Sequence, residues 1–113
     1  MRHILIVEDD RLSRESLASL MRAAGHEVKV AYSAEDACTI MKSFTPDIVL
    51  LDIRLPGMFG DTFGLYLRRR YPRVKIVFVT AERLLDHPER YGPQTEFLRK
   101  PVDSTRLLTS VAG

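Results

Sequence analysis

The residues Ile48–Leu51 form an apolar run that leads directly into a charged residue, Asp52. A continuous apolar run of this length, followed closely by the turn formers Pro56 and Gly57, predicts a strand buried on both faces of a parallel sheet. A carboxylate at the carboxyl end of such a strand lies where open α/β sheets hold their ligands. A single aspartate in this position more often caps a helix or closes a turn, so other residues must decide between these interpretations.

Apolar and β-branched runs recur along the chain and alternate with segments of helical periodicity. The remaining predicted strands are His3–Val7, Val28–Ala31, Val74–Thr80 and Phe97–Leu98. Strands that alternate with helices predict a five-stranded, doubly wound, flavodoxin-like α/β sheet with right-handed crossovers. The runs that begin at Ile4, Ile48 and Val74 are apolar throughout, so these strands are expected in the centre and the mixed strands at the edges. The strand order 2-1-3-4-5 satisfies both conditions.

The helices are predicted from apolar periodicity and from capping residues. They are expected at Leu12–Ala24, from Ser33 to about Lys42, from Asp61 to Arg70, and after Asp103 or Ser104. The basic triplet Arg68–Arg70 suits a helix C-terminus, although it can also bind phosphates or an acidic partner. The connection Ala81–Thr95 is interrupted by two prolines and a glycine, which leave room for a short helical segment near Glu82–His87. The fourth helix, between the fourth and fifth strands, is therefore predicted to be short or irregular.

Length, charge and cysteine content exclude several classes of protein. The 113 residues suffice for one compact domain, and the net charge of +2 is too small to indicate nucleic-acid or membrane binding. There is neither a run of about 20 apolar residues that could span a bilayer nor a signal-peptide pattern. The single cysteine, Cys38, cannot form an internal disulfide, which fits a cytoplasmic location. Its helical position beside Ala34 and Met41 predicts a buried, core-filling side chain rather than a catalytic thiol.

The predicted strand order gathers polar side chains at one edge of the sheet. Glu8 and Asp9 follow the first strand, and Asp52 follows the third, which is its neighbour. Carboxylates in one cleft repel each other unless a proton or a cation intervenes. Oxygen ligands of this kind suit Mg²⁺, and an ionised carboxylate can also attack phosphorus to form an acyl phosphate. Thr80 and Lys100 end the next strands at the same edge, where a hydroxyl and an ammonium can contact a phosphoryl group.

With these motifs the chain resembles a response-regulator receiver domain over essentially its whole length. The matching motifs are ILIVEDD at residues 4–10, LLDIRLPG at 50–57, VTA at 79–81 and the dipeptide Lys100–Pro101. Their order and spacing are far more specific than an isolated acidic pair. The resemblance implies a two-component signalling domain whose phosphoacceptor is Asp52. Such a domain is not a conventional enzyme, although it assists its own phosphorylation and dephosphorylation.

The resemblance also implies a metal site beside the phosphoacceptor. Glu8 and Asp9 correspond to the acidic pair that organises Mg²⁺, for which Mn²⁺ can substitute. Asp52 itself and the backbone carbonyl of Arg54 correspond to the further ligands. The reaction that this site is expected to support is Mg²⁺-dependent transfer of a phosphoryl group to Asp52.

Other positions correspond to the residues that respond to phosphorylation in this family. Thr80 and Lys100 match the residues that contact the phosphoryl oxygens. Phe97 occupies the place of the aromatic switch residue, which turns inward as the threonine moves and so shifts the domain between two pre-existing conformations. The bond between Lys100 and Pro101 is expected to be cis, as it is in such domains.

The resemblance implies partners as well as chemistry. The phosphoryl donor is expected to be a histidine kinase or a histidine phosphotransfer protein, with acetyl phosphate as a small substitute. The downstream partner is not identified by the sequence, and a phosphorylation-dependent dimer is left open. Neither direct nucleic-acid binding nor membrane contact is expected. Residues 1–113 are expected to form one receiver domain without an output domain, either as a stand-alone protein or as an excised module.

Some residues depart from the usual receiver pattern. Residues 88–93 replace a regular helix and a Gly-Ala pair, so the surface that most receivers use for output is expected to be shortened, disordered or rebuilt. Arg54 lies two residues beyond Asp52, and Glu82 lies two beyond Thr80, at positions that tune autodephosphorylation in this family. We hypothesise a salt bridge between Arg54 and Glu82 that shields the acyl phosphate from water.

Two alternative functions follow from the same residues. A phosphohydrolase of the haloacid-dehalogenase type also forms an aspartyl phosphate, but it needs a second aspartate where this chain has Arg54. A phosphorylation-independent interaction module with a receiver fold is favoured only by the altered connection Ala81–Thr95. Both alternatives keep the predicted fold and differ in what Asp52 does.

Overall fold

The computed structural model describes residues 1–81 and 87–112. Its strands are β1 (His3–Val7), β2 (Glu27–Ala31), β3 (Ile48–Leu51), β4 (Lys75–Thr80) and β5 (Thr95–Arg99). Its helices are α1 (Arg11–Ala23), α2 (Ala34–Ile40), α3 (Gly60–Arg70) and α4 (Ser104–Ala112), with a 3-10 helix at Pro88–Tyr91. The strands form a five-stranded parallel sheet in the order β2-β1-β3-β4-β5, which confirms the predicted order and the predicted edges.

The central strands are apolar because helices cover both of their faces. Every residue of β3 is buried, whereas the edge strands β2 and β5 mix buried with half-buried or exposed positions. Val7, the last residue of β1, pairs with Leu51, the last residue of β3. The two strands therefore end at the same level, and the residues that follow them, Glu8 and Asp52, are neighbours at the carboxyl edge of the sheet.

Side chains alternate between the two faces of the sheet and build a core on each. On one face, strand residues such as Leu5 and Val49 pack with Phe63 and Leu67 of α3 and with the alanines of α2. On the other face, the core of the remaining strand residues is completed by α1 and α4. The sheet thus forms the middle of three layers, which is the doubly wound arrangement predicted from the sequence.

Capping residues begin and end the helices where the sequence predicts. Gly25 follows α1 with a left-handed φ of 92°, which a residue with a side chain adopts at a cost. Ser33 Oγ accepts a 3.0 Å hydrogen bond from the backbone of Asp36, and Asp103 Oδ2 accepts one of 3.1 Å from Arg106. These side chains satisfy backbone donors that the first turn of a helix leaves without partners.

The prediction that Cys38 fills the core is wrong, because its side chain is exposed. In α2 the buried residues are Ala34 and Ala37, and Met41 just beyond the helix is half-buried. These positions share one narrow stripe of the helix, while Cys38 lies about 100° around the axis from Ala37. The helix is short and contacts the sheet through small residues, so its buried stripe does not extend as far as Cys38.

The connection between β4 and β5 is irregular in its described part, as predicted. It contains the 3-10 helix Pro88–Tyr91, while the helical segment expected near Glu82–His87 lies almost wholly outside the described residues. The bond between Lys100 and Pro101, which follows β5, is cis, as expected. In the described part of the chain, no helix combines the length and the apolar character needed to cross a membrane.

Candidate functional site

The carboxyl edge of the sheet brings together a lysine and two carboxylates from three strand ends. Lys100 Nζ lies 2.9 Å from Asp52 Oδ2 and also contacts Glu8 Oε1. The backbone N–H of Lys100 donates a 2.9 Å hydrogen bond to the carbonyl of Thr80, which fixes the lysine to the end of β4. Thr80 itself is buried. The structure therefore places Glu8, Asp52, Lys100 and Thr80 at one edge, as the strand order predicts.

Glu8 is the least solvated member of this group. It is 2% exposed, and its Oε2 atom is a buried oxygen without a hydrogen-bond partner among the described residues. Burial raises the pKa of Glu8 to about 7, the negative Asp52 adds to this effect, and Lys100 opposes it. A buried carboxylate with one unsatisfied oxygen is costly, so this side chain holds its charge only against an unfavourable desolvation free energy.

The pKa of Asp52 is shifted in the opposite direction from that of Glu8. Burial on its own would raise the pKa of Asp52, but its interactions with Glu8, with Lys100 and with the backbone N–H of Arg54 outweigh burial and lower the pKa. The bond from Arg54 to Asp52 Oδ1 is 3.1 Å long. Lys100 is held in its charged form by the same two carboxylates, which raise its pKa despite burial. Asp52 is therefore the ionised carboxylate of the pair at neutral pH.

The remaining acidic residue, Asp9, is exposed at the border of this site. It lines a cavity of about 350 Å³ together with Arg54, Leu55, Pro56 and Phe59. Among residues 1–81 and 87–112, no cluster of three or more acidic, histidine or cysteine side chains is arranged to hold a metal ion. Lys100 contacts both Glu8 and Asp52, and its ammonium group provides the positive charge between them.

The donor atoms nevertheless fit a hard divalent cation. Carboxylate oxygens of Asp52 and Glu8 adjoin each other, Asp9 lies on the same border, and Glu8 Oε2 is a buried acceptor that nothing in the described chain satisfies. Oxygen-only donor sets of this kind are characteristic of Mg²⁺ sites. These donors are chemically suited to a divalent cation, and an ionised carboxylate is a nucleophile.

Sequence reasoning missed two residues that shape this edge. A Cβ atom on Gly60, the first residue of α3, would lie 1.9 Å from the backbone oxygen of Asp52, so this position requires glycine. Arg14 of α1 donates hydrogen bonds of 3.0 and 3.2 Å to the carbonyls of Glu8 and Asp9 and thereby holds the acidic segment. A glycine at the start of a helix and an arginine one turn after an acidic segment were the available signals.

The other predicted residues are an aromatic residue of β5, an arginine next to Asp52 and a glutamate outside the described chain. Phe97 is half-buried in β5, where its ring stacks on Phe78 with centroids 5.2 Å apart. Arg54 is exposed beside Asp52. Glu82 lies outside the described residues, so the predicted salt bridge with Arg54 stays a prediction.

The chain matches a known family over nearly its whole length. The family model of the response regulator receiver domain covers residues 4–112. The chain belongs to this family. The match confirms the resemblance inferred from the sequence motifs and identifies the chain as a signalling domain of two-component systems rather than a conventional enzyme.

Curated relatives of this receiver are longer proteins. It is 42% identical over 108 residues to the positive alginate biosynthesis regulatory protein of Pseudomonas aeruginosa, covering 93% of this chain and 44% of that protein. It is 33% identical over 111 residues to the response regulator protein FleR of the same species, covering 96% and 24%. The receiver thus spans less than half the length of these relatives.

Solved structures share the fold of this receiver. A CheY-like response regulator receiver domain protein from Methanospirillum hungatei superposes with a TM-score of 0.89 at 26% identity, over 99% of this chain and 91% of that one. The response regulator TrrA of Thermotoga maritima, solved in complex with Mg²⁺-BeF, gives a TM-score of 0.88 at 28% identity, over 99% and 97%. These likenesses confirm the predicted flavodoxin-like architecture.

Proposed function

We propose that this receiver accepts a phosphoryl group on Asp52 from a histidine kinase or a histidine phosphotransfer protein. The observation that carries the proposal is the pairing of an ionised Asp52 with Lys100 at 2.9 Å, at the end of a central strand. An ionised carboxylate is a nucleophile, and an adjacent ammonium group can offset the charge of an incoming phosphoryl group.

The transfer needs little from the protein beyond alignment and charge neutralisation. A carboxylate oxygen of Asp52 forms the new bond to phosphorus as the bond between phosphorus and the donor's imidazole nitrogen breaks. The electron pair of that bond stays on the imidazole. Lys100 contacts both Asp52 and Glu8, so it is already positioned to stabilise the charge on the transferred group.

Glu8, Asp9, Asp52 and the backbone carbonyl of Arg54 are the residues that would hold a divalent cation, Mg²⁺ or in its place Mn²⁺. The bound cation would neutralise negative charge on the phosphoryl oxygens. Support comes from the unpartnered buried oxygen of Glu8 and from the Mg²⁺-BeF complex of TrrA. Arg14, which holds the carbonyls of Glu8 and Asp9, keeps this donor segment in place.

The response to phosphorylation is proposed to run through Thr80 and Phe97. Thr80 ends β4 next to the strand that bears Asp52, and its buried hydroxyl can move toward a phosphoryl oxygen. Phe97, on the neighbouring strand β5, would then turn inward. Phosphorylation adds charge and acceptor oxygens, which shifts the balance between the two conformations and changes an interaction surface.

The proposal extends to the lifetime of the acyl phosphate and to the cellular context of the domain. A salt bridge between Arg54 and Glu82 would slow hydrolysis of the acyl phosphate by excluding water. Residues 1–113 would act as one receiver domain in the cytoplasm, with a downstream protein partner or a phosphorylation-dependent dimer as the output. Direct contact of this domain with nucleic acid or with a membrane is not part of the proposal.

The test is phosphorylation by acetyl phosphate and Mg²⁺, followed by a phosphate-affinity gel and intact mass. The wild type should gain the mass of one phosphoryl group, and Asp52→Asn should gain none. Equal modification of both proteins would contradict the assignment of Asp52. Steady turnover of a generic phosphomonoester would instead favour the phosphohydrolase alternative, against which Arg54 argues.

The second candidate is a phosphorylation-independent interaction module. The irregular 3-10 helix Pro88–Tyr91, in place of a regular helix, is the observation that favours it. Partner binding by the wild type and by Asp52→Asn, each with and without acetyl phosphate, separates the two functions. The main proposal expects a phosphodonor effect in the wild type only, whereas the module predicts equal binding in all four samples.

A further inference from the structure

An arginine at the end of α3 binds the backbone of the rebuilt connection before β5. Arg68 is half-buried, and its guanidinium donates to carbonyl and hydroxyl oxygens from two separate segments. The acceptors are the carbonyls of Pro72 at 2.9 Å, Val74 at 2.7 Å and Gln94 at 2.7 Å, the hydroxyl of Thr95 at 3.1 Å, and the carbonyl of Tyr91. A planar guanidinium is suited to such a set of fixed acceptors, which a lysine cannot reproduce.

This contact fixes Tyr91. The carbonyl of Tyr91 accepts a hydrogen bond from Arg68 Nε and a second one, 2.9 Å long, from the hydroxyl of Thr95. Tyr91 is 5% exposed, and its ring meets that of Phe78 edge to face at 5.1 Å. Tyr91 is therefore held through its backbone on one side and through its ring on the other.

Two glycines, Gly64 and Gly92, leave room for the contacts of Tyr91 and Arg68. A Cβ atom on Gly64 of α3 would lie 2.6 Å from the ring of Phe78 and 3.3 Å from that of Tyr91. Gly92 has a φ of 84°, and a Cβ atom there would lie 3.3 Å from Arg68 Nε. Glycine thus occurs at the two places where a side chain would press on the aromatic rings or on the arginine.

Tyr91 in turn confines Phe97. The ring of Phe97 stacks on Phe78 at an interplanar angle of 7°, and Tyr91 meets Phe97 edge to face at 6.0 Å. Aromatic pairs of this geometry contribute roughly 0.5–1.5 kcal/mol beyond their buried area. Any turn of Phe97 must break its contacts with both neighbours.

We propose that Arg68 is a positioning residue for the phosphorylation switch. By fixing Tyr91 it holds Phe97 in the stacked position, and it thereby sets the free-energy gap that phosphorylation of Asp52 must overcome. This inference rests on the proposed function of Asp52 and Phe97. It assigns the first arginine of the basic triplet a role that its exposed neighbour Arg69 does not share.

The test is a titration of the full chain with beryllofluoride and Mg²⁺, followed by NMR of backbone amides. A ligand that binds a minor conformation has its affinity reduced by the small population of that conformation. Arg68→Lys keeps the charge but loses the planar fork, so it should tighten the apparent beryllofluoride affinity, by about threefold to tenfold on this population argument. Arg69→Lys is the matched control and should bind as the wild type does.

A second variant covers the case in which Arg68→Lys fails to fold. Thr95→Val removes the hydroxyl that binds the Tyr91 carbonyl and keeps a β-branched shape, so it should tighten the affinity in the same direction by a smaller factor. Unchanged or weaker affinity in whichever of these variants is folded would overturn the proposal and leave Arg68 a structural residue only.

A second readout separates this inference from the proposed function. If the wild type does not bind beryllofluoride, the phosphoacceptor assignment fails. The positioning role is then judged on the unliganded proteins by the side-chain rotamer of Phe97, measured from NMR couplings. Arg68→Lys should raise the population of a second Phe97 rotamer above its level in the wild type and in Arg69→Lys, and equal rotamer populations in all three proteins would contradict the proposal.

Discussion

Two lysine–glutamate pairs lie at opposite ends of the sheet, and the pKa values of their glutamates shift in opposite directions. At the amino end, Lys75 contacts Glu96 at 2.7 Å, and the hydroxyl of Ser110 donates to the other carboxylate oxygen at 2.8 Å. At the carboxyl end, Lys100 contacts one oxygen of Glu8, and the other oxygen has no partner among the described residues. Burial raises the pKa of each glutamate, but in Glu96 the hydrogen bonds from Lys75 and Ser110 outweigh it, so the pKa of Glu96 is lowered and that of Glu8 is raised.

This difference distinguishes a structural ion pair, formed by Glu96, from a candidate binding site, which contains Glu8. A carboxylate whose oxygens are both satisfied stabilises the folded chain, whereas a buried carboxylate with an unsatisfied oxygen reduces stability and retains capacity for a ligand. Glu96 belongs to the first kind. Glu8, crowded by Asp52, belongs to the second kind, and its unfavourable environment is what a cation could relieve.

The largest expected effect is that of replacing Lys100 by methionine, compared with the same replacement of Lys75. Lys100→Met should slow phosphorylation by acetyl phosphate on the order of 100-fold, because the cation beside Asp52 is lost. Lys75→Met is the matched control and should leave the phosphorylation rate unchanged while it lowers the free energy of unfolding. Rates come from intact mass against time. Similar losses of rate in both variants would erase the distinction between the pairs.

Glu8→Gln should stabilise the protein at high pH. The pKa of Glu8 in the folded state, about 7, lies above its value in the unfolded chain, so stability is lost as pH rises between the two values and stays low above the folded value. Removal of the charge should add about 1–3 kcal/mol to the free energy of unfolding near pH 8 and little near pH 4.

Urea unfolding without divalent cations measures this effect at each pH. The same variant should bind Mg²⁺ more weakly, because a donor oxygen becomes an amide. A Glu8→Gln protein that gains equal stability at both pH values would show that the charge of Glu8 is not what destabilises the fold.

Glu96→Gln should act with the opposite sign and a smaller size. The lowered pKa of Glu96 means that its contribution is present above the ordinary pKa of a glutamate and is lost as pH falls through the folded value. The variant should therefore lose about 1 kcal/mol near neutral pH and nothing in strong acid. Glu15→Gln, which alters the exposed pair with Arg11, is the control and should change stability by no more than about 0.5 kcal/mol.

Periodicity was sufficient to predict the sheet and most of its carboxyl edge. Apolar runs identified the central strands, and their order placed Glu8, Asp52 and Lys100 together because parallel strands end at the same side. The sequence did not distinguish Glu8 from Asp9, although one is buried and the other exposed. Which of the two side chains is buried depends on the path of the backbone between β1 and α1, and the amino-acid sequence alone does not specify that path.

The sequence predictions were wrong or incomplete where tertiary contacts, rather than sequence patterns, determine whether a side chain is buried and what it binds. Cys38 has the same helical spacing from Ala34 as many buried residues have, yet α2 is too short and its buried stripe too narrow to include it. The contacts of Arg68 could not be predicted because most of its acceptors are backbone carbonyls, which every residue possesses. Only the folded chain shows which carbonyls lie within its reach.

Because Glu8 and Asp52 directly follow β1 and β3, the lifetime of their mutual arrangement depends on those two strands. Amides in the innermost strands of a domain exchange with solvent chiefly through global unfolding, whereas irregular connections open at much lower free energy. The mutual spacing of the two carboxylates therefore depends on the global stability of the domain rather than on local opening. The carboxylate pair is lost only when the domain unfolds as a whole.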